Sequence, residues 1–591
     1  MWSYVPPIDD IRFVLDELLN VRRDWNEMPR LASLDADLVP QILEEAGKFA
    51  VGRLLPMNSS GDLEGCRFSG GTVHAPTGFA AAYRDFCAAG WPALACDAGS
   101  GGQGLPQTLN AALYEMLNAT NHAWAMYPGL AHGAYECIRA HGSDHLKEHF
   151  LPKIVSGEWL TTMCLTEAHA GSDVGLLRTA ALPRSGGTYA ISGSKVFISG
   201  GDHDLSDNII HLVLARLPDA PAGTRGISLF VVPKLLAHAD GLRPNGVRCD
   251  GIEKKMGIKG SATCLLRFEA AQGWIVGEPN RGLAAMFVMM NEARLHVGLQ
   301  GLGHADAALQ NATRYAAERL QMRAPASPPG VEAVNPAPAT PIAFHPPIRR
   351  VLATARAMVE GQRALAYWAA HLLDVAEFHP SQPARERAHA LASILTPVVK
   401  SFLTENGFLL SSAALQVWGG YGYVHDFGIE QTVRDSRIAM IYEGTNEIQA
   451  IDLLSRKILA DEGAKFGLLI ETVRDEAARC RGVAECGDMA AVLDGLTGSL
   501  MTLTDHIMAG SVAFPELAPN VAGDFLRALG LSLLAALWAR AARVAASGAS
   551  SPLHRRKLET ARYYFDYVLP EAQYRFALVS NGRRPLPWAG T

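Results

Sequence analysis

Hydrophobic patterning changes period twice along this chain, and that change constrains the fold more than any single motif. Up to about residue 157 the apolar residues fall near helical spacing, beginning with Phe13, Leu15, Leu18 and Leu19. Short β-type runs then take over at 189–191, 195–198, 209–214 and 227–232, separated by turn clusters such as Ser185-Gly-Gly and Ser199-Gly-Gly-Asp. Strands at this spacing predict a compact sheet or barrel. Helical spacing returns at Leu283, Met286, Phe287 and Met290 and is expected to run to about Arg323. At 591 residues the chain is too long for one core, so several domains are required. The order predicts an α+β, mostly α, architecture: a helical domain over 1–157, a β-domain over 158–280, a helical domain over 281–461 and a helical extension over 462–591.

A stretch with eight prolines, 324–347, interrupts the helical pattern and predicts a long loop. The N-terminus, MWSYVPPIDDIRFVLDELL, has acids where a signal peptide needs a basic start. The most apolar run, 528–539, lies between Arg527 and Arg540 and is too short to span a bilayer, which predicts a packed helix. A net charge of −6 gives no whole-chain pull toward nucleic acid or anionic membrane. Nine cysteines without any CxxC, and no His/Cys cluster at ligand spacing, point to free thiols in a reducing cytoplasm and to no metal.

Five segments carry candidate chemistry. Met163-Cys-Leu-Thr-Glu-Ala-His-Ala-Gly-Ser-Asp-Val174 reads as a strand entering a turn whose N–H groups and hydroxyls can face a planar ring or a phosphate, or equally as a plain Gly-Ser turn. Ser194-Lys-Val-Phe-Ile-Ser199 places an aromatic on a strand, where a core position is the commoner role. Glu318-Arg-Leu-Gln-Met-Arg323 offers guanidinium groups that suit a pyrophosphate or a solvated helix end. Gln416-Val-Trp-Gly-Gly-Tyr-Gly-Tyr423 lets a backbone approach a phosphate or a neighbouring helix closely. In Arg434-Asp-Ser-Arg-Ile-Ala-Met-Ile-Tyr-Glu-Gly-Thr-Asn-Glu-Ile-Gln449, Glu443 follows an apolar run. Desolvation there would raise its pKa toward that of a useful base; a surface glutamate is the bland alternative.

Taken together and in this order, the five segments resemble the acyl-CoA dehydrogenase family over roughly 70–460. The opening segment, the Gly-Gly-Gln-Gly-Leu-Pro106 loop and the C-terminal extension resemble its long subgroup, which contains broad-range fatty acyl-CoA and 3-methylmercaptopropionyl-CoA dehydrogenases. The resemblance implies a middle β-barrel, a C-terminal four-helix bundle and FAD as cofactor. It makes Glu443 the base. Met163, Leu165, Thr166, Gly171 and Ser172 match the segment covering the flavin; Phe197, Ile198 and Ser199 match its other face. Arg319, Gln321, Gln416, Gly419 and Gly420 match positions reaching the FAD of a neighbouring subunit, and Thr445 and Glu447 match the pyrophosphate segment. Ser172, Asn291, Arg294 and Gly444 match substrate contacts. Ala168, Phe197 and Met322 depart from the usual proline, tryptophan, and glycine or phenylalanine.

The implied reaction is α,β-dehydrogenation of an acyl-CoA, with an electron-transfer flavoprotein as acceptor and a homodimer or homotetramer as the assembly. An oxygen-using oxidase on the same scaffold is one alternative. A DNA-associated relative is another, but the extension over 461–591 holds fourteen basic and fourteen acidic residues and lacks the charge that DNA binding needs.

Overall fold

The computed structural model describes residues 2–35, 37–328, 338–548, 551–582, 585–587 and 590. Packing divides the chain into two compact units, residues 45–296 and residues 1–44 together with 297–591.

The 45–296 unit begins helical but not wholly so. A hairpin of β1 (Arg67–Ser69) and β2 (Thr72–His74) lies in the stretch expected to be helical. Its turn is Gly70-Gly71, with φ of 60° and 81°, a conformation that costs glycine little. Every residue of the helix Gln107–Ala125 is buried, which explains its lack of a polar face.

The strand block comprises β3 (Trp159–Cys164), β4 (Ala180–Pro183), β5 (Tyr189–Ser199), β6 (Asn208–Ala215), β7 (Ser228–Pro233), β8 (Leu235–His238), β9 (Gly241–Pro244), β10 (Val247–Ile252) and β11 (Thr263–Val276). One sheet runs β3-β6-β7-β11-β5-β4, with β10 also on β11; β8 and β9 form a separate hairpin. β3 and β6 are parallel, and the other pairs are antiparallel. A bridge between Ala180 and Arg216 ties β4 to the chain just past β6 and closes the sheet on itself, so the barrel option holds. β6 and β7 are buried along their whole length, as continuous apolar strands require.

The packing differs from the expected linear order at two places. Residues 2–44 were read as the start of an N-terminal domain, yet they pack with the C-terminal half. Asn311 Nδ2 donates to Ser3 O (2.7 Å), Lys557 Nζ to Asp10 Oδ1 (2.6 Å), and His371 Nε2 contacts Asp24 Oδ2 (2.8 Å). Residues 281–296 were read as the start of the helical domain. They pack with the barrel instead: Met286 and Met289 share a core with Ile138, Phe150 and Leu229. Local periodicity reports that a face is apolar, not which distant surface will cover it.

In the other unit, the bundle is built around Gly282–Glu318, Pro346–Phe378 and Gln382–Trp418. Gly301 and Gly407 let the first and third of these helices meet backbone to backbone; a Cβ on Gly407 would sit 2.6 Å from Gly301 Cα. Helix Gly282–Glu318 stops before the expected Arg323. Its exit pairs with the far end of the Pro-rich stretch: Gln321 N donates to Thr340 O (3.1 Å) and Thr340 N to Met322 O (2.8 Å). Residues 329–337 of that stretch lie outside the described residues.

The extension does not stand apart. Its helix Leu517–Ala546 is long and apolar enough to cross a membrane, but 89% of its most apolar window is buried in the fold. Trp538 Nε1 donates to Ala357 O (3.0 Å), and Arg527 is ion-paired to Glu405 (3.3 Å) and Glu571 (2.5 Å).

Candidate active site

The first group of predicted residues lies on the barrel. Met163, Leu165 and Thr166 are half-buried where β3 ends, and Gly171 and Ser172 are exposed beyond a tight turn closed by Glu167 N to Ala170 O (3.0 Å) and Ala170 N to Glu167 O (2.9 Å). Glu167, buried at 5% exposure, holds this turn. Its carboxylate accepts from Arg178 N (2.8 Å), Thr179 N (3.0 Å), Thr179 Oγ1 (2.7 Å) and Lys195 Nζ (2.9 Å). Burial pushes this carboxyl up, but the Lys195 charge and these bonds outweigh burial and leave it at about 2. Lys195 is fully buried, and burial lowers its own pKa.

Lys195 also connects two of the predicted segments. Its Nζ donates to Leu165 O (2.9 Å), and Val196 N donates to Thr166 O (3.0 Å). Two residues along, Phe197 has φ of 60° and is 63% exposed, although Lys195 and Ile198 on either side are buried. Here β5 carries one more residue than β11, because Lys195 pairs with Leu266 but Ile198 with Cys264. Phe197 therefore sits in a β-bulge that turns its ring outward, a device that re-aims side chains beside functional sites. An exposed aromatic in strained backbone, tied to a turn that presents Gly171 and Ser172, fits the face of a planar ring. Ile198 can offer only backbone, since its side chain is core.

The second group lies in the other unit. Glu443 is half-buried and has φ of 58°, and Gly444 follows at 83°. A glutamate in the left-handed region costs roughly 1–2 kcal/mol and persists only where surroundings hold it. Gln449 Nε2 donates to Glu443 O (3.0 Å), and Lys400 Nζ donates to Gly444 O (2.6 Å). Thr445 caps the helix Asn446–Ile451 by accepting from Ile448 N (3.3 Å), so its hydroxyl has a structural role; Glu447 is exposed. The Tyr442 phenol donates to Gln300 Oε1 (2.5 Å), and burial together with the Glu443 charge raises its pKa.

Arg319 meets Tyr421, the residue after the 416–420 segment, although about a hundred residues separate them. The Arg319 guanidinium lies 5.4 Å from the Tyr421 ring centroid, over its face. Gln321, Gln416, Gly419 and Gly420 are all exposed nearby in sequence. Met322 has φ of 55° and is exposed, a left-handed backbone that leaves methionine strained.

Asn291 is exposed and accepts from the buried Arg294 Nη1 (3.2 Å). Between them, Glu292 was missed by sequence reasoning. It is buried, lies 3.3 Å from His132 Nδ1 and 3.5 Å from His296 Nε2, and is hydrogen-bonded by Gln107. Burial raises its pKa, but the two histidines outweigh this and hold it ionised. The signal available in sequence was a carboxylate four residues before a histidine in an otherwise apolar helix.

Similarity to known proteins gives this geometry its context. Family models match in chain order: the acyl-CoA dehydrogenase N-terminal domain over 41–158, its middle domain over 162–271, its C-terminal domain over 334–458, and an acetyl-CoA dehydrogenase C-terminal-like domain over 469–586. A 3-methylmercaptopropionyl-CoA dehydrogenase from Ruegeria pomeroyi is 39% identical over 98% of both chains. The chain belongs to the acyl-CoA dehydrogenase family. These are FAD-using oxidoreductases that act on acyl-CoA. The broad-specificity linear acyl-CoA dehydrogenase FadE5 from Mycobacterium tuberculosis is 34% identical over 96% of both chains. An acyl-CoA dehydrogenase from Bacillus anthracis, solved with FAD, superposes with a TM-score of 0.74 at 20% identity, covering 97% of this chain and 91% of its own; this likeness supports the fold alone.

Proposed function

We propose that this acyl-CoA dehydrogenase removes hydrogen across Cα–Cβ of an acyl-CoA thioester to give the trans-2-enoyl-CoA, and passes the electrons to an electron-transfer flavoprotein in the cytoplasm. The observation that carries the proposal is Glu443, a carboxylate held in strained left-handed backbone by two buried donors. A thioester α-proton is weakly acidic, so its removal needs a fixed base and stabilisation of charge on the thioester oxygen. Glu443 takes the proton, and the N–H groups of its turn are the candidate donors to that oxygen. When bound, FAD supplies the hydride acceptor. Thr166, Ser172 and Phe197 orient the ring, while Met163, Leu165, Gly171 and the backbone at Ile198 and Ser199 shape its surroundings. Asn291, Arg294 and Gly444 hold the substrate. Linear fatty acyl-CoA and 3-methylmercaptopropionyl-CoA are the substrate candidates. The thioether substrate comes first, because the relative named for it shares more of the sequence.

The test is anaerobic mixing of the yellow protein with short, medium and long acyl-CoAs and with 3-methylmercaptopropionyl-CoA, following loss of flavin colour. Bleaching by one of these, and reoxidation by an electron-transfer flavoprotein faster than by oxygen, is the expected result. A folded protein that stays colourless with excess FAD defeats the proposal; fast reoxidation by oxygen makes it an oxidase.

The assembly is at least a homodimer in which Arg319, Gln321 and residues 416–420 serve the FAD of the partner subunit, while Thr445 and Glu447 belong to the pyrophosphate-binding segment. Support comes from the meeting of Arg319 with Tyr421 and from the exposure of Leu320, Met322 and Tyr423, their neighbours in sequence. Charge-assisted bonds to a pyrophosphate are worth roughly 1.5–3 kcal/mol each, so Arg319→Ala is expected to weaken FAD binding about tenfold or more. Added FAD then restores assembly by mass action. Light scattering coupled to flavin absorbance reads both. Unchanged affinity and assembly would leave Arg319 a solvated helix-end residue.

A further inference from the structure

Within helix Gln382–Trp418 one lysine stands among apolar neighbours, and it is fully buried. An ammonium so placed needs partners that justify its loss of water. Lys400 Nζ donates to Gly444 O at 2.6 Å and to Asn446 Oδ1 at 3.0 Å. Asn446 is bound in turn to the same helix, accepting from Thr404 Oγ1 (3.2 Å) and donating to Ser401 O (3.2 Å). One helical turn thus grips the residues that follow Glu443, while Gln449 Nε2 grips the Glu443 carbonyl itself (3.0 Å). Both carbonyls of the left-handed Glu443–Gly444 pair are held by buried donors. A glutamate relaxes out of this conformation unless something opposes it.

We infer that Lys400 is a positioning residue for Glu443: its ammonium pins the Gly444 carbonyl and so fixes the turn that aims the base. The inference rests on Glu443 being the base. Lys400 acts through the Gly444 carbonyl and the Asn446 side chain, and Gln449 is the second clamp on the same turn. The competing account is a purely structural lysine joining two helices. That role would lower thermal stability without altering the rate per bound flavin.

The experiment uses the full FAD-loaded protein and compares Lys400→Met, Lys400→Arg, Gln449→Leu and Glu443→Gln. The bleaching rate per bound flavin at saturating acyl-CoA is measured with α-protiated and α-deuterated substrate, alongside acyl-CoA affinity and amide hydrogen exchange over residues 441–446. Misplacement of a reacting group by about 1 Å costs roughly 10²-fold in rate. Lys400→Met is therefore expected to bleach about 10²-fold more slowly, with a larger α-deuterium effect, acyl-CoA affinity within a few-fold, and faster exchange over 441–446. Lys400→Arg regains part of the rate. A Lys400→Met rate within threefold of the parent beside an inactive Glu443→Gln overturns this inference alone. Bleaching by Glu443→Gln overturns it together with the assignment of the base. Where Lys400→Met fails to fold, Gln449→Leu decides by the same rate and exchange criteria.

Discussion

Glu443→Gln keeps the protein folded, yellow and able to bind acyl-CoA, while single-turnover bleaching of the flavin falls by about 10²–10⁴-fold. The amide matches the carboxylate in size and leaves the backbone clamps from Gln449 and Lys400 in place. What it removes is the lone pair that accepts the α-proton. The loss therefore belongs to the chemical step and not to substrate affinity, so the rate at saturating acyl-CoA drops as far as the rate at low concentration. Stopped-flow absorbance with one enzyme equivalent of substrate reads it directly. Bleaching near the parent rate would reject Glu443. Glu447, in the first turn of the next helix and exposed, would then be the carboxylate to replace.

Lys195→Met is expected to destabilise the barrel unit by about 3–5 kcal/mol, the usual penalty for leaving one member of a buried ion pair alone. Glu167 would keep its bonds from Arg178 N and Thr179 but lose the buried ammonium that lies 2.9 Å from it. The Leu165 carbonyl would lose its donor as well, so the turn bearing Thr166 and Ser172 loosens and FAD retention falls with stability. The same pair sets a pH dependence. The folded Glu167 carboxyl titrates at about 2 against an ordinary 4.5. Its folded pKa is lower than its unfolded one, so the stabilisation is complete above about pH 5 and fades as pH falls toward 2, by about 3 kcal/mol in all. Burial lowers the Lys195 pKa, so the folded protein releases that proton before the unfolded chain does, and this group by itself adds stability as pH rises through that window. Urea unfolding of the barrel unit at several pH values, followed by flavin release, measures both effects. A Lys195→Met protein with the parent's urea midpoint, or a Glu167→Gln protein with the parent's full acid sensitivity, would show that the pair does not carry this stability.

Much of the candidate site is legible in the sequence because its segments are local. Glu443 and Gly444, the Thr166–Ser172 turn and the Phe197 strand each occupy a few consecutive residues, so their motifs survive in one dimension. The Gly70-Gly71 hairpin was equally local and was overlooked, since its strands have only three residues each. Helix ends went astray where a distant segment intervened. Arg319 leaves its helix because residues 321 and 322 pair with Thr340.

By itself the sequence determined the order of helices, barrel and helices, because side-chain period reports which backbone geometry can bury a given set of apolar residues. Its motifs also carried the resemblance to the family, which the family models and full-length relatives show, and singled out Glu443 as the candidate base. Only the tertiary structure decided that residues 2–44 join the C-terminal half, that Lys195 bonds Glu167 beneath the Ser172 turn, that Phe197 rides on a bulge, and that Lys400 and Gln449 hold Glu443 in left-handed backbone. These are pairings between residues far apart in the chain. A buried charge announces that it needs a partner, but the partner is chosen by which surfaces the packed core brings within 3 Å, and no local pattern encodes that choice.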